Sequence, residues 1–234
     1  MQELDKISQE IRTRLQAENT AREEALRCCR KLAQLASRAI IAIHREERAA
    51  AQELLAQGEG VAREIHQALA THPAIYYTGY VHSAQKEYAE ARLLYGLVED
   101  EPVPDPSALG VEGPAYLHGL GEAAGELRRH ALDLIRKGTL GRAEEILIQM
   151  EEIHQTLSLF DFPDALTYDL RRTNDMVRGV LERTRGDLTM ALRQQELERA
   201  LRELEKKLGG PASWTLASEI LPVEQEEVAF ARIG

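Results

Sequence analysis

Two pairs of glutamates in this sequence have the spacing that places both members of a pair on one face of a helix. Glu87 and Glu90 are three residues apart, and Glu122 and Glu126 are four apart. Side chains at these spacings are neighbours on a helix surface, and like charges placed there repel each other. If the two faces meet, they form a four-carboxylate cluster that a divalent cation would stabilise. Ligation by oxygen alone favours Mg²⁺ or Mn²⁺ over Zn²⁺.

The same spacings also have a simpler explanation. The chain has 39 Asp and Glu residues, so pairs of this kind arise by chance on solvated helix faces. Other metal and nucleotide motifs are missing from the sequence. Glu151 and His154 make one half of a ferritin-like motif without a second half, and no phosphate-binding glycine loop or nucleophile elbow is present. On spacing alone, a metal site and a solvated acidic face both stay open.

A second pattern is a line of basic side chains on the helix predicted after residue 20. At about 100° per residue, four cations share one side, and the apolar residues Leu32, Ala36, Ala39 and Ile43 cluster on the other. The four cations are Arg27, Lys31, Arg38 and Arg45. Cations at intervals of one or two turns suit the phosphates of a nucleic-acid backbone. A solvated helix face is the alternative. We call this line the basic stripe.

The whole chain limits what such a patch can mean. Its 234 residues carry a formal net charge of −10, which argues against unspecific coating of nucleic acid, so binding would depend on a local patch. Between residues 22 and 48, by contrast, there are seven Lys and Arg but only four Glu. No segment is apolar enough to span a bilayer, and the first residues lack a signal-peptide core. We therefore expect a cytoplasmic protein without a membrane partner.

All the elements that must position these side chains are predicted to be helices. Hydrophobic residues make up 44% and aromatic residues 5% of the chain, which is typical of a helical bundle. A capping-box pattern at Thr20 and Glu23 predicts a helix start, Gly58 a helix end, and Asp187 the cap of a final helix. The sequence predicts seven or eight helices, no strand, one all-α domain over 1–208, and a tail over 209–234 that is flexible or partner-dependent.

One segment resembles the translin superfamily. YLHGLGEAAGELRR, residues 116–129, is similar to that family's signature, and TYDLRR, residues 167–172, resembles its K-Y-D-V-K-K run. ISQEIR, residues 7–12, and the helix of the basic stripe follow in matching order. The resemblance covers about residues 5 to 190.

Within that superfamily, residues 87–91, EYAEA, resemble the translin-associated factor X branch rather than translin itself. The resemblance implies that Glu87, Glu90, Glu122 and Glu126 form a Mg²⁺-dependent ribonuclease site. Glu122 stands where that branch has Asp, which adds one methylene group to the reach of the carboxylate. A prokaryotic type with a single kind of subunit is implied.

The resemblance implies a seven-helix bundle that assembles into a homo-octamer, with the basic stripe facing enclosed RNA. The expected activity is endonucleolytic cleavage of single-stranded RNA with Mg²⁺ or Mn²⁺ held by the four glutamates, and single-stranded DNA is a further expected ligand. Two alternatives remain. A non-catalytic nucleic-acid binder of the translin type needs the stripe but not the Glu87 and Glu90 pair, and a helical scaffold needs neither.

Overall fold

The computed structural model describes residues 2–207, and all regular elements in that range are helices. Six are long and three are single turns. In chain order they are α1 (Gln2–His44), α2 (Arg48–Leu69), α3 (Pro73–Tyr76), α4 (Gly79–Glu99), α5 (Pro106–Leu109), α6 (Gly113–Arg136), α7 (Leu140–Ser158), α8 (Asp164–Thr167) and α9 (Leu170–Lys207). The predicted all-α class is confirmed.

The core forms where the long helices pack side by side. Helix α1 packs against α2 and α4, α4 packs against α6, and α6 packs against α7. The apolar face predicted for α1 is confirmed, because its residues are buried at this centre. The largest fully buried side chains include Leu32, Leu55, Ile65, Tyr88, Leu93, Leu94, Leu127, Ile146 and Met150. Helix α4 therefore lies between two neighbours, and residues on both of its sides are buried.

The predicted helix start at Thr20 is wrong. Helix α1 is continuous from Gln2 to His44, and the Thr20 hydroxyl donates to the carbonyl oxygen of Gln16 instead of capping a helix. A threonine inside a helix makes this bond to the residue four positions earlier when no glycine or proline interrupts the helix. The capping-box pattern was therefore a chance match.

The predicted helix end at Gly58 is also wrong. The break comes earlier, at residues 45–47, where Glu46 has a left-handed φ of 60°, and α2 then runs through Gly58. A Cβ atom on Gly58 would lie 2.8 Å from a ring carbon of Tyr88. This glycine serves close packing of α2 against α4 and not helix termination.

The helix end predicted at Gly186 and Asp187 is wrong as well, because α9 continues through both residues. The Asp187 carboxylate does not cap a helix but accepts from Arg128 of α6 at 2.8 Å. Arg128 also donates to the Thr184 hydroxyl. These contacts join α9 to α6.

Packing divides the chain into two units, residues 1–189 and 190–234. The first unit contains the acidic residues of α4 and α6 and the basic stripe. Of the second, the structure describes the last turns of α9, where Met190, Leu197, Leu201 and Leu204 are exposed. The tail predicted over 209–234 lies outside the described residues. No helix within residues 2–207 has the length and apolarity needed to cross a membrane.

Candidate active site and nucleic-acid interface

Helices α4 and α6 run in the same direction and pair residue by residue. His82 lies against His118, with ring centroids 5.6 Å apart, and one turn further along both helices Lys86 contacts Glu122. After another turn, Glu126 contributes to the electrostatic environment of Glu90. The repeat of four residues on each helix is the one that keeps side chains on a single face. The predicted meeting of two acidic segments therefore occurs between α4 and α6.

A glycine permits this close approach. A Cβ atom on Gly119 would lie 2.7 Å from the carbonyl oxygen of Lys86 and 2.8 Å from the backbone nitrogen of Glu90. Only a residue without a side chain fits between these two backbones. Gly119 therefore sets the short distance across which the acidic side chains interact.

Glu90 is the buried member of the acidic cluster, with 9% of its surface exposed. Burial and the negative charges of Glu122 and Glu126 together raise the pKa of Glu90 to about 8, and Lys86 opposes the shift. A buried carboxyl beside two carboxylates cannot easily ionise unless positive charge arrives. This carboxyl is therefore largely protonated at neutral pH, and a cation would favour its ionised form.

Glu126 is held by a histidine from α1. His44 Nε2 lies 2.5 Å from Oε2 of Glu126, and the imidazole side chain is only 4% exposed. The hydrogen bond from His44 lowers the pKa of Glu126, although burial opposes this. The other ring nitrogen of His44 is buried and has no hydrogen-bond partner within residues 2–207. Helix α1 thus fixes an ionised carboxylate beside the protonated one on Glu90.

Glu122 is held in place by a lysine. The Lys86 ammonium donates to Oε1 of Glu122 at 2.6 Å. Both side chains are partly exposed, so this pair forms the more open edge of the cluster.

Glu87 lies on a different side of α4. It lines a shallow groove between α1 and α4 together with Leu26, Cys29 and Arg30. The structure therefore brings together Glu90, Glu122 and Glu126, whereas Glu87 lines a separate groove on another side of α4.

The three carboxylates have the donor chemistry that Mg²⁺ or Mn²⁺ requires, because all their ligand atoms are oxygens. The raised pKa of Glu90 shows that positive charge would stabilise the cluster. Lys86 and His44 supply part of that compensation at Glu122 and Glu126. In the described part of the chain, no three acidic, His or Cys side chains are already arranged around a metal position. Metal binding therefore requires these side chains to turn away from their present partners.

Three members of the basic stripe, Arg27, Lys31 and Arg38, lie on the exposed side of α1, and Arg45 directly follows the last residue of that helix. All four are exposed. Arg27 pairs with Glu24 at 2.5 Å, whereas the other three make no ion pair with any residue between 2 and 207. Arg38 lies six residues before His44 on α1 and so points about 120° away from the side of the helix that contacts Glu126. In a single chain, the stripe and the acidic cluster therefore face different directions.

Two side chains that pair with the acidic cluster, Lys86 and His44, were not among the predicted site residues. Lys86 lies one turn before Glu90, so its helical spacing was a usable signal. His44 is 82 residues from Glu126, and nothing local in the sequence connects the two. Only the packing of α1 against the other helices brings this histidine to the site.

Comparisons with known proteins agree with this architecture. No protein-family model matches the chain. An uncharacterized protein of Methanocaldococcus jannaschii is 28% identical over 189 residues, which are 80% of this chain and 83% of that protein.

Solved structures give a closer match. The AfC3PO–duplex RNA complex and AfC3PO alone each share 32% identity and a TM-score of 0.73 with this chain, covering 78% of it and 95% of theirs. The apo form of NeC3PO has a TM-score of 0.70 at 22% identity, covering 82% of this chain and 98% of its own, and so agrees in fold. AfC3PO binds duplex RNA in the first of these structures.

Proposed function

Because this chain belongs to the translin superfamily of C3PO-type proteins, we propose that it binds RNA and cleaves single strands by Mg²⁺-dependent hydrolysis at the acidic cluster of α4 and α6. The observation that carries the proposal is the burial of Glu90 beside Glu122 and Glu126, which raises the pKa of Glu90 to about 8. Perturbed carboxyls of this kind are typical of functional sites. The placement of this chain in the factor X branch is part of the proposal.

Each glutamate has a distinct part. Glu126, ionised through its bond to His44, would hold the cation together with Glu90, whose carboxyl would have to lose the proton that burial retains. Glu122, which now pairs with Lys86, would be the third ligand, and the Lys86 ammonium would then be available to a phosphate. We include Glu87, one turn before Glu90 on α4, as a fourth carboxylate at the groove. When bound, Mg²⁺ or Mn²⁺ activates the attacking water and stabilises charge on the phosphate.

The basic stripe supplies the proposed RNA contacts outside this cluster. Lys31, Arg38 and Arg45 are exposed cations without ion-pair partners in the described range, so they are available to phosphates, and binding should weaken as salt rises. Assembly of several copies would bring one chain's stripe to another's acidic cluster. The exposed apolar side chains Leu4, Ile7, Ile11 and Leu15 on α1 support a homo-oligomer, proposed as an octamer, and a native mass measurement tests it.

Glu126→Gln tests the nuclease proposal. This variant should bind labelled single-stranded RNA like the original chain but should not cleave it in Mg²⁺, because an uncharged amide cannot anchor the cation. The original chain should cleave in Mg²⁺ and stop in EDTA. Glu152→Gln, an exposed position on α7, is the matched control and should cleave normally.

The same assay separates the alternatives. Full cleavage by purified Glu126→Gln, or cleavage that survives EDTA, would contradict the proposed site. Retention of single-stranded RNA or DNA without any cleavage by the original chain would indicate a non-catalytic binder of the translin type. The present pairing of Glu122 with Lys86 and of Glu126 with His44 favours that second candidate, which is why EDTA and Mg²⁺ must be compared directly.

A further inference from the structure

A cavity of about 230 Å³ lies at the other end of the α4–α6 pair from the acidic cluster. Its walls come from α3, α4, the start of α6 and the α8–α9 turn. Aromatic rings dominate these walls, among them Tyr76, Tyr77, His82 and Tyr168. The cavity is wide enough for one flat heteroaromatic ring, and none of the proposed catalytic residues lines it.

Two of these rings offer faces for stacking. Tyr77 is 61% exposed and Tyr168 is 44% exposed, although large aromatic side chains usually bury most of their surface. Tyr168 stacks on His82 at 4.3 Å with an angle of 18° between the rings. This stack holds the Tyr168 ring in one orientation beside the cavity.

The backbone that presents Tyr168 is strained and is held by a buried histidine. Tyr168 and Asp169 have consecutive left-handed φ values of 53° and 65°, a conformation that is unfavourable for residues other than glycine. His118 Nε2 donates to the carbonyl oxygen of Thr167 at 2.8 Å, and its Nδ1 accepts from the Thr173 hydroxyl at 2.8 Å. Strain that the surrounding structure maintains in this way is characteristic of binding sites.

The cavity also has a polar wall. Glu112 lines it and makes no ion pair with any residue that the structure describes. Burial raises the pKa of Tyr76, and the neighbouring Glu112 carboxylate contributes to that shift, which places this carboxylate near the tyrosine ring. Gln85 is already engaged, because its amide donates to the Tyr76 hydroxyl and its carbonyl accepts from the Glu112 backbone. Glu112 therefore brings a carboxylate acceptor to this wall, beside the Tyr76 hydroxyl.

The position of the cavity relates it to the proposed nuclease site. His82 and His118 lie two turns before Glu90 and Glu126 on the same two helices, which is about 12 Å at 1.5 Å per residue. This separation along the helix axes is short enough to be bridged by neighbouring nucleotides of one strand if the cavity and the acidic cluster are reached from the same side.

We propose that this aromatic cavity is a nucleobase-binding subsite for single-stranded RNA, in which a base stacks against Tyr77 and Tyr168. The identity of the ligand, single-stranded RNA, rests on the proposed function. The subsite itself acts in binding and not in cleavage. Stacking on an aromatic side chain is tolerant of sequence because every base has a flat face. The subsite would hold the strand in register with the acidic cluster.

Tyr77→Ala tests this subsite in EDTA, where binding is measured without cleavage. By fluorescence anisotropy, the variant should bind single-stranded RNA roughly tenfold more weakly than the original chain. The variant and the original chain should bind an abasic strand of the same length equally well, because that strand has the same phosphates but no base to stack. Tyr77→Phe keeps the ring and should restore binding, and circular dichroism melting should show that all three proteins are folded.

The outcomes distinguish this inference from the nuclease proposal. No loss with Tyr77→Ala, or an equal loss on the abasic strand, would overturn the subsite. A loss confined to the strand with bases would support it, even if Mg²⁺ then produced no cleavage and the nuclease proposal failed. Failure of the original chain to bind RNA at all would overturn both.

Discussion

The two ends of the α4–α6 pair have side chains at the same four-residue spacing, but the pKa shifts of their buried groups are in opposite directions. At one end, burial and two neighbouring carboxylates raise the pKa of Glu90 to about 8. At the other end, burial together with the electrostatic effects of the neighbouring His118 and Lys86 lowers the pKa of His82 to about 4. Burial favours the uncharged form of each group. One end therefore accumulates acidic groups that need a cation, whereas the other presents neutral rings.

This difference separates the two proposed tasks along a single helix pair. The acidic end has the charge that suits a cation, and the aromatic end has the flat, uncharged surfaces that suit a base. Lys86 lies between them and lowers the pKa of both Glu90 and His82. Helical register repeated over two turns can therefore place the proposed cation site and the proposed base subsite at a defined separation.

The largest expected effect comes from the glycine that brings both ends together. Gly119→Ala should destabilise the chain by about 3 kcal/mol, because the new methyl group would lie 2.7 Å from the Lys86 carbonyl oxygen and force α4 and α6 apart. Urea unfolding measures this.

Gly125→Ala is the matched control on the same helix, since its Cβ would meet nothing within 4 Å. That variant should be more stable than the original by about 0.5 to 1 kcal/mol, because alanine favours the helix. If both variants behaved alike, the close approach at Gly119 would not control the pairing of the two helices.

A smaller effect is expected from removing the buried acid. Because the folded-state pKa of Glu90 is raised from 4.5 to about 8, the original chain should lose stability as pH rises through that interval. Glu90→Gln cannot ionise, so it should become progressively more stable than the original chain as the pH rises from 4 to 9, with the difference disappearing near pH 4. Urea unfolding in EDTA across this range measures it. An equal pH dependence in both proteins would show that Glu90 ionises freely.

The aromatic end should show the opposite and smaller pH response. The folded-state pKa of His82 is lowered from 6.5 to about 4, so its contribution to stability is complete above pH 6.5 and is lost as pH falls towards 4. His82→Phe cannot take up a proton and keeps a ring against Tyr168, so the stability of this variant relative to the original chain should increase as the pH falls from 7 to 4. A thermal melt at each pH tests this, and an unchanged difference between the two pH values would contradict it.

Much of this architecture could be predicted from the sequence, because helical periodicity records which faces are buried. The pattern of Leu32, Ala36, Ala39 and Ile43 identified the buried face of α1, and the spacing of Glu122 and Glu126 identified one side of the acidic cluster. Helix ends were less predictable. Thr20, Gly58 and Asp187 each have a role in packing or side-chain bonding that a local pattern cannot distinguish from a cap or a break.

The site was predictable only in part. Glu90, Glu122 and Glu126 come together as expected, but Glu87 lies at the groove beside Arg30 because it projects from another side of α4. The partners His44 and Lys86, and the aromatic cavity with Tyr168, depend on long-range packing. The left-handed turn at Tyr168 has no glycine to reveal it. Such features appear only when the helices are placed in three dimensions.

The carboxylates of α4 and α6 are proposed to hold a divalent cation. Titration of Mn²⁺ into the metal-free chain, followed by calorimetry in two buffers that differ in ionisation enthalpy, measures both binding and proton release. We expect a site that releases a proton as Glu90 ionises, that is lost in Glu126→Gln, and that is retained in Glu152→Gln. Equal Mn²⁺ binding by the original chain and Glu126→Gln, or no binding by either, would contradict it.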